Sequence, residues 1–189
     1  IPIKIQKIFL PDSQFFFFES IKKNYQIGLS NIKLNNCEEK IKILNEAIST
    51  KNGFEYFDYF SLNSFKTKKS ILSRKIKSSN IENICERFGK PDLIYMDIEG
   101  LEGMVIENSI KYLKSWKNTL FIESHGDETM GAYNYSNIKL YNLLMENNYS
   151  LYQLNQNYMK ESPKFKKIES EKEIPNNRYY LLAKTNSDF

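Results

Sequence analysis

Apolar positions along the chain gather in short continuous runs, and amphipathic stretches separate them. Ile5, Ile8 and Phe9 stand at helical spacing before Pro11, which predicts the tail of a helix. Four phenylalanines, Phe15 to Phe18, then run into Glu19. A continuous apolar run of this length reads as a parallel strand buried on both faces. In IKKNYQIGLSNI, residues Ile21, Tyr25, Leu29 and Ile32 share one helical face, with the helix loosened at Gly28. IKILNEAIS (41–49) predicts a second strand and FEYFDYF (54–60) another strand or hairpin arm, while Lys66 to Lys77 is basic and irregular.

The second half continues the alternation. Asn80 is placed to cap a short helix, NIENICERFG, that stops at Gly89. DLIYM is a buried strand ending in Asp97, and Leu101, Met104, Val105, Ile110 and Leu113 predict the helix after it. Strand NTLFIES (118–124) precedes a polar loop, HGDETMGAYN, and a helix from Ser136 to Glu146 that buries Ile138, Tyr141, Leu144 and Met145. Strand YSLYQL, a charged loop and strand RYYLLAK close the chain; the loop is longer than compact domains usually carry, which marks it as functional or mobile. No repeat or linker divides residues 1–189, so one domain is expected. Strands alternating with helices predict a doubly wound, mostly parallel α/β sheet. The last two strands, joined without a helix, predict an antiparallel edge hairpin.

Ligands of such sheets sit beyond the carboxyl ends of the strands. Those ends are Glu19, Asn45 to Ala47, Asp97 to Gly100, and Glu123 to His125. Acids recur at all four. Glu19 suits bidentate acceptance of ribose hydroxyls, or alternatively the start of the next helix, where an anion is favoured. Asp97 ends an apolar strand, so its carboxylate needs a partner. Gly100 permits a tight backbone path. Glu99 and Glu102 stand at a helix start, and a capping role accounts well for Glu102. His125, the only histidine, fits a general base with its pKa raised by acids such as Glu123, Asp127 and Glu128. A plain hydrogen bond to a neighbouring loop is its structural alternative.

Composition narrows the partners. The net charge of +4 is too mild and dispersed to point to nucleic acid. Cys37 and Cys85, each in a polar helical or loop context, form neither a disulfide framework nor a metal-ligand spacing, which fits a reduced cytoplasm. One histidine excludes a multi-histidine metal site, and no metal ligand set is assigned. No apolar run approaches the roughly 18 residues of a membrane span. The opening IPIKIQKIFLPD has no small-residue cleavage site and does not read as a signal peptide. KTKKSILSRKIK reads as a solvated face, with docking of an acidic glycan or phosphate as the alternative.

An apolar strand followed by DIEGLEG (97–103) resembles the signature of FkbM-like methyltransferases. FFFFESIKKNYQIGLSNIKLNN, ILNEAISTKNG, NIENICERFGKPDLIYMDIEG, LFIESH and NNRYYLLAK resemble successive segments of that family in consistent order, over about 170 residues. The resemblance implies a Rossmann-like sheet that binds S-adenosylmethionine and methylates a hydroxyl. Glu19 would hold the ribose, and Glu46 and Ala47 would line the adenine pocket. Asp97 would lie near the methionine end and the transferred methyl, with Glu99 and Gly100 in the same cofactor-binding set. Glu123 and His125 would face the acceptor. The family's glycine-rich first motif should precede the helix containing Ile5 and Phe9, so the domain is expected to lack its first strand and that loop.

The reading is therefore an S-adenosylmethionine-dependent O-methyltransferase acting on a glycan or small metabolite. Catalysis would rest on Asp97, His125 and Glu123: alignment of acceptor oxygen with sulfonium methyl, and removal of one proton. The acids would also accommodate a divalent cation, magnesium or calcium rather than zinc. Two rival readings stand beside it. One is a nicotinamide-dependent Rossmann oxidoreductase, whose ribose acid would also be Glu19; the other is a degenerate, non-catalytic interaction domain.

Overall fold

The computed structural model describes residues 12–58, 65–66, 73–154 and 164–185. The helix tail expected before Pro11 lies outside them. Strand β1 (Phe15–Phe18) runs parallel to β2 (Ile41–Leu44), with Phe15 opposite Ile41 and Phe18 opposite Leu44. Helix α1 (Lys22–Leu34) connects them and buries Ile32 with Cys37 and Ile41, against which Phe15, Phe17 and Ile43 pack. Its inward face is the one the spacing predicts, with Ile27 and Leu34 left outside. Gly28 does not loosen the helix. A Cβ there would meet Ile43 Cδ1 at 2.5 Å, so the bare backbone lets α1 rest on β2. Cys37, too, is a core residue rather than a polar-context one. β1 is half-buried along its length instead of covered on both faces, and among the described residues it pairs with β2 alone.

The run at 41–49 is not one strand. β2 stops at Leu44, and β3 (Ala47–Ile48) joins β6 (Ser73–Ser79) in parallel. At the break the Asn45 side-chain amide donates to the carbonyls of Glu19 at 2.8 Å and Ser20 at 3.3 Å, tying the two strand ends together. β4 (Gly53–Asp58) lies antiparallel to β6 and to β5 (Phe65–Lys66). β6 is a regular strand where the basic stretch suggested irregularity. Lys75 and Lys77 face out while Ile76 and Ser78 face in, the two-residue period of a half-buried strand. Ile76 packs with Ala47 and Phe57 in a small core.

The residues up to Ser79 form one compact unit and those from Asn80 a second. In the second, Asn80 caps α2 (Ile81–Phe88) as predicted, accepting from the Asn83 N–H at 2.9 Å, and Gly89 ends it at φ 90°. Then follow β7 (Leu93–Met96), α3 (Glu102–Trp116), β8 (Thr119–Ser124), α4 (Gly126–Gly131) and α5 (Asn137–Glu146). β9 (Tyr149–Leu154), β10 (Phe165–Lys167) and β11 (Tyr179–Thr185) complete it. The polar loop after β8 thus holds a short helix. α5 buries Leu140, Tyr141 and Leu144, whereas Met145 is turned out to solvent.

The sheet order is β10-β9-β11-β8-β7, with β7 and β8 parallel and the other pairs antiparallel. The closing antiparallel hairpin is present, but β11 is not an edge strand; it lies between β8 and β9. Val105, Ile106 and Leu113 of α3, Leu120 and Ile122 of β8, Leu140 and Leu144 of α5 and Leu181 of β11 are fully buried. β7 is less covered than its apolar sequence suggests. It pairs only with β8 among the described residues, and Leu93 and Tyr95 are 53% and 54% exposed.

Candidate functional site

Register assembles the site. Met96 lies opposite Ile122 in the parallel β7–β8 ladder, so Asp97 emerges level with Glu123. Tyr179 lies opposite Ser124 in the antiparallel β8–β11 ladder, so Arg178 emerges level with His125. After Asp97 the chain turns sharply, with φ 57° at Glu99 and 98° at Gly100. A Cβ on Gly100 would meet Thr129 Cγ2 at 2.8 Å and the Thr129 backbone at 3.2 Å, so glycine alone lets this turn rest on α4.

Glu102, the first residue of α3, is fully buried. Its Oε1 accepts the N–H of Ile98 at 3.0 Å and of Gly100 at 3.2 Å, and lies 2.8 Å from His125 Nδ1. Glu102 therefore shapes the turn and holds the imidazole at once. A capping role alone does not describe it. The other ring nitrogen, Nε2, faces Glu99 Oε2 at 3.2 Å and Asp97 Oδ1 at 3.5 Å. Burial works to lower the His125 pKa, and the Arg178 charge adds to that. The hydrogen bond and charge of Glu102, with Glu99, outweigh both and raise it above its ordinary value. The direction is the expected one, and the acids that chiefly carry it are Glu102 and Glu99.

Arg178 Nη1 lies 3.3 Å from Glu123 Oε1 and its Nη2 3.8 Å from Glu99 Oε2. The Tyr95 hydroxyl donates to Glu123 Oε2 at 3.4 Å. Burial, then Asp97 and Glu123, push the Tyr95 hydroxyl up to about 12. Burial and the charge of Glu123 likewise raise the Asp97 carboxyl above the usual carboxylate range, against the pull of His125.

Arg178 is held from behind. The Asn137 side chain donates to the carbonyls of Pro175 at 2.6 Å and Asn177 at 3.1 Å, and the Asp127 N–H donates to Asn176 O at 2.8 Å. A Cβ on Gly126 (φ 81°) would meet Asn177 C at 2.9 Å, so glycine allows the loop before β11 to close over it. The structure thus brings together Asp97, Glu99, Glu123 and His125 and adds Glu102, Arg178 and Tyr95. Sequence reasoning missed Arg178 as a site residue and set Glu102 aside.

Three expected cofactor residues lie in the first unit, each engaged within it. Glu19 Oε1 accepts from the Ile21 N–H at 2.7 Å, the helix-start alternative for that acid. Glu46 is buried, with Oε1 on Lys77 Nζ at 2.7 Å and Oε2 on Ser79 Oγ at 2.8 Å. Ala47 is packed in the core with Phe57 and Ile76.

Parallel strand pairs joined through helices, with acids at the strand ends, define a Rossmann-like α/β chain. A crystal structure of a protein in the NADB-Rossmann superfamily from Streptococcus agalactiae is similar to it, with a TM-score of 0.52 at 14% identity. The match covers 100% of this chain and 58% of that one, and at such identity the likeness is one of fold. Residues 7–158 match the family described as Methyltransferase FkbM domain, and the chain belongs to that family. Among curated proteins none matches the chain. No helix among the described residues is long and apolar enough to cross a membrane.

Proposed function

We propose that the chain is a methyltransferase domain that moves a methyl group from S-adenosylmethionine to a hydroxyl of a glycan or small metabolite. The observation that carries this reading is the cluster of Asp97, Glu99, Glu123 and His125 at the carboxyl ends of β7 and β8, in a chain of the FkbM family. In the reaction the acceptor oxygen attacks the methyl in line. The carbon–sulfur bond breaks as the carbon–oxygen bond forms, and the hydroxyl proton leaves to a base. Asp97, with a side chain 40% exposed and a raised pKa, is the carboxylate suited to take it. His125, 2% exposed, lies beside Asp97 with Nε2 3.5 Å from Oδ1, and Glu123 with Arg178 orients the acceptor. Glu99 and Gly100 are the cofactor-binding residues proposed for the second unit, and Glu19, Glu46 and Ala47 those proposed for the first. Acids suit the cationic sulfonium.

A cytoplasmic setting accords with Cys37 and Cys85, which are not joined by a disulfide.

Calorimetry with S-adenosylmethionine and with nicotinamide dinucleotide, alongside transfer of labelled methyl to hydroxylated acceptors, tests the reading. The chain should bind S-adenosylmethionine about tenfold more tightly than the dinucleotide or better, about 1.4 kcal/mol. Preference for the dinucleotide, or no methyl transfer to any hydroxylated acceptor, overturns it.

A further inference from the structure

We propose that Asp97, Glu99 and His125 bind a divalent transition-metal ion. The inference goes beyond methyl transfer and does not depend on it.

The carrying observation is the state of the imidazole. The His125 side chain is 2% exposed, and its Nδ1 is engaged by Glu102 Oε1 at 2.8 Å. Its Nε2 is buried and makes no hydrogen bond, although Glu99 Oε2 stands at 3.2 Å and Asp97 Oδ1 at 3.5 Å. A buried ring nitrogen with no hydrogen bond, aimed at two carboxylates, calls for an explanation.

The spacing supplies one. Ligand atoms bonded at about 2.1 Å to one ion lie about 3.0 Å apart at right angles and about 3.4 Å apart at the tetrahedral angle. The two nitrogen–oxygen separations fall close to that range, and one atom from each residue converges within 4.8 Å of the others. Glu102 completes the arrangement from behind. By accepting from Nδ1–H it fixes the tautomer whose Nε2 lone pair points at the acids, the usual way a carboxylate orients a ligating imidazole.

Charge argues the same way. Asp97, Glu99, Glu102 and Glu123 converge on His125 and Arg178, so a surplus of negative charge remains for a dication to balance. Glu99 would pass from Arg178, 3.8 Å away, to the ion. One imidazole with two carboxylates is a mixed nitrogen and oxygen set. It selects manganese, iron or zinc over the magnesium or calcium that carboxylates alone would favour.

The 189-residue chain, freed of metal with EDTA and without S-adenosylmethionine, is titrated with Mn2+ by calorimetry and by electron paramagnetic resonance. One ion per chain is expected, with nitrogen coupling in the spin-echo signal. Asp97→Asn and Glu99→Gln, both on the partly exposed turn, should each weaken binding about tenfold or more. Glu102→Gln, a positioning variant, should weaken it about 10- to 100-fold, while the exposed Glu107→Gln changes nothing. Absence of binding, absence of nitrogen coupling, or full affinity in both Asp97→Asn and Glu99→Gln overturns the proposal. Because no methyl donor is present, any of these results leaves the methyl-transfer reading intact.

Discussion

His125 Nδ1 and Glu102 Oε1 stand 2.8 Å apart, and the carboxylate that makes this contact is fully buried at the first turn of α3. The same oxygen also accepts the Ile98 and Gly100 N–H groups. Replacing the carboxylate with an amide of equal shape removes the charge assistance from all three bonds. Glu102→Gln should therefore lower stability by about 2 kcal/mol, within the range for hydrogen bonds to charged groups. Urea denaturation checks this. A change near zero would mean that the buried carboxylate is held by something other than these contacts.

Asp97 should behave in the opposite sense. Burial and Glu123 disfavour its charge, so neutralising it relieves an unfavourable interaction. Asp97→Asn should melt at or above the wild-type temperature in EDTA, yet lose tenfold or more in methyl transfer, about 1.4 kcal/mol of transition-state stabilisation. A lower melting temperature with activity intact would make Asp97 a structural residue.

Glu46 offers a test of the adenine-pocket assignment. It is buried and engaged by Lys77 and Ser79 within its own unit. Lys77→Met should cost about 2 kcal/mol by removing a charge-assisted partner from a buried carboxylate. Ser79→Ala, which leaves the carboxylate in place, should lower S-adenosylmethionine affinity only if Glu46 orientation matters to the cofactor. Denaturation and calorimetry on both variants separate the structural role from the binding role.

Cys85 sits on α2, where burial pushes its thiol up to about 11. Only the thiolate reacts with alkylating reagents. At pH 8 about one thiol in a thousand is ionised, so alkylation should be slow and should climb about tenfold per pH unit until pH approaches 11. In urea it should react as an ordinary thiol with a pKa of about 8.5. Peptide mapping after timed iodoacetamide pulses checks this. Fast native alkylation at pH 8 would contradict the burial.

Much of this was legible in the sequence because helical spacing and continuous apolar runs carried it. The helical spacing located α1, α2 and α3, and the Asn80 and Gly89 signals bracketed α2 correctly. Acids after apolar runs marked strand ends, and parallel register then made Asp97 and Glu123 neighbours. Glu102 was underread because an acid at a helix start has an ordinary electrostatic explanation. It also lies on one face with Val105, Ile106, Ser109 and Leu113, and an acid continuing a buried stripe was the available signal. Arg178 was invisible because only the insertion of β11 beside β8 brings it to His125. The break between β2 and β3 escaped notice because 41–49 is apolar enough for one strand, and partner choice ends it. Lys75 and Lys77 hid β6 because their charge masked its two-residue alternation.

The position of β11 bears on how the second unit is made. On an emerging chain β7, β8 and β9 are all synthesised before the strand that separates β8 from β9. Until Tyr179 to Thr185 leave the ribosome, β8 and β9 expose the edges that β11 will join. Closure of this sheet thus waits for β11. A nascent chain stalled before Tyr179 should remain protease-sensitive and chaperone-bound, and one stalled far enough beyond Thr185 to free β11 should become resistant in a single step.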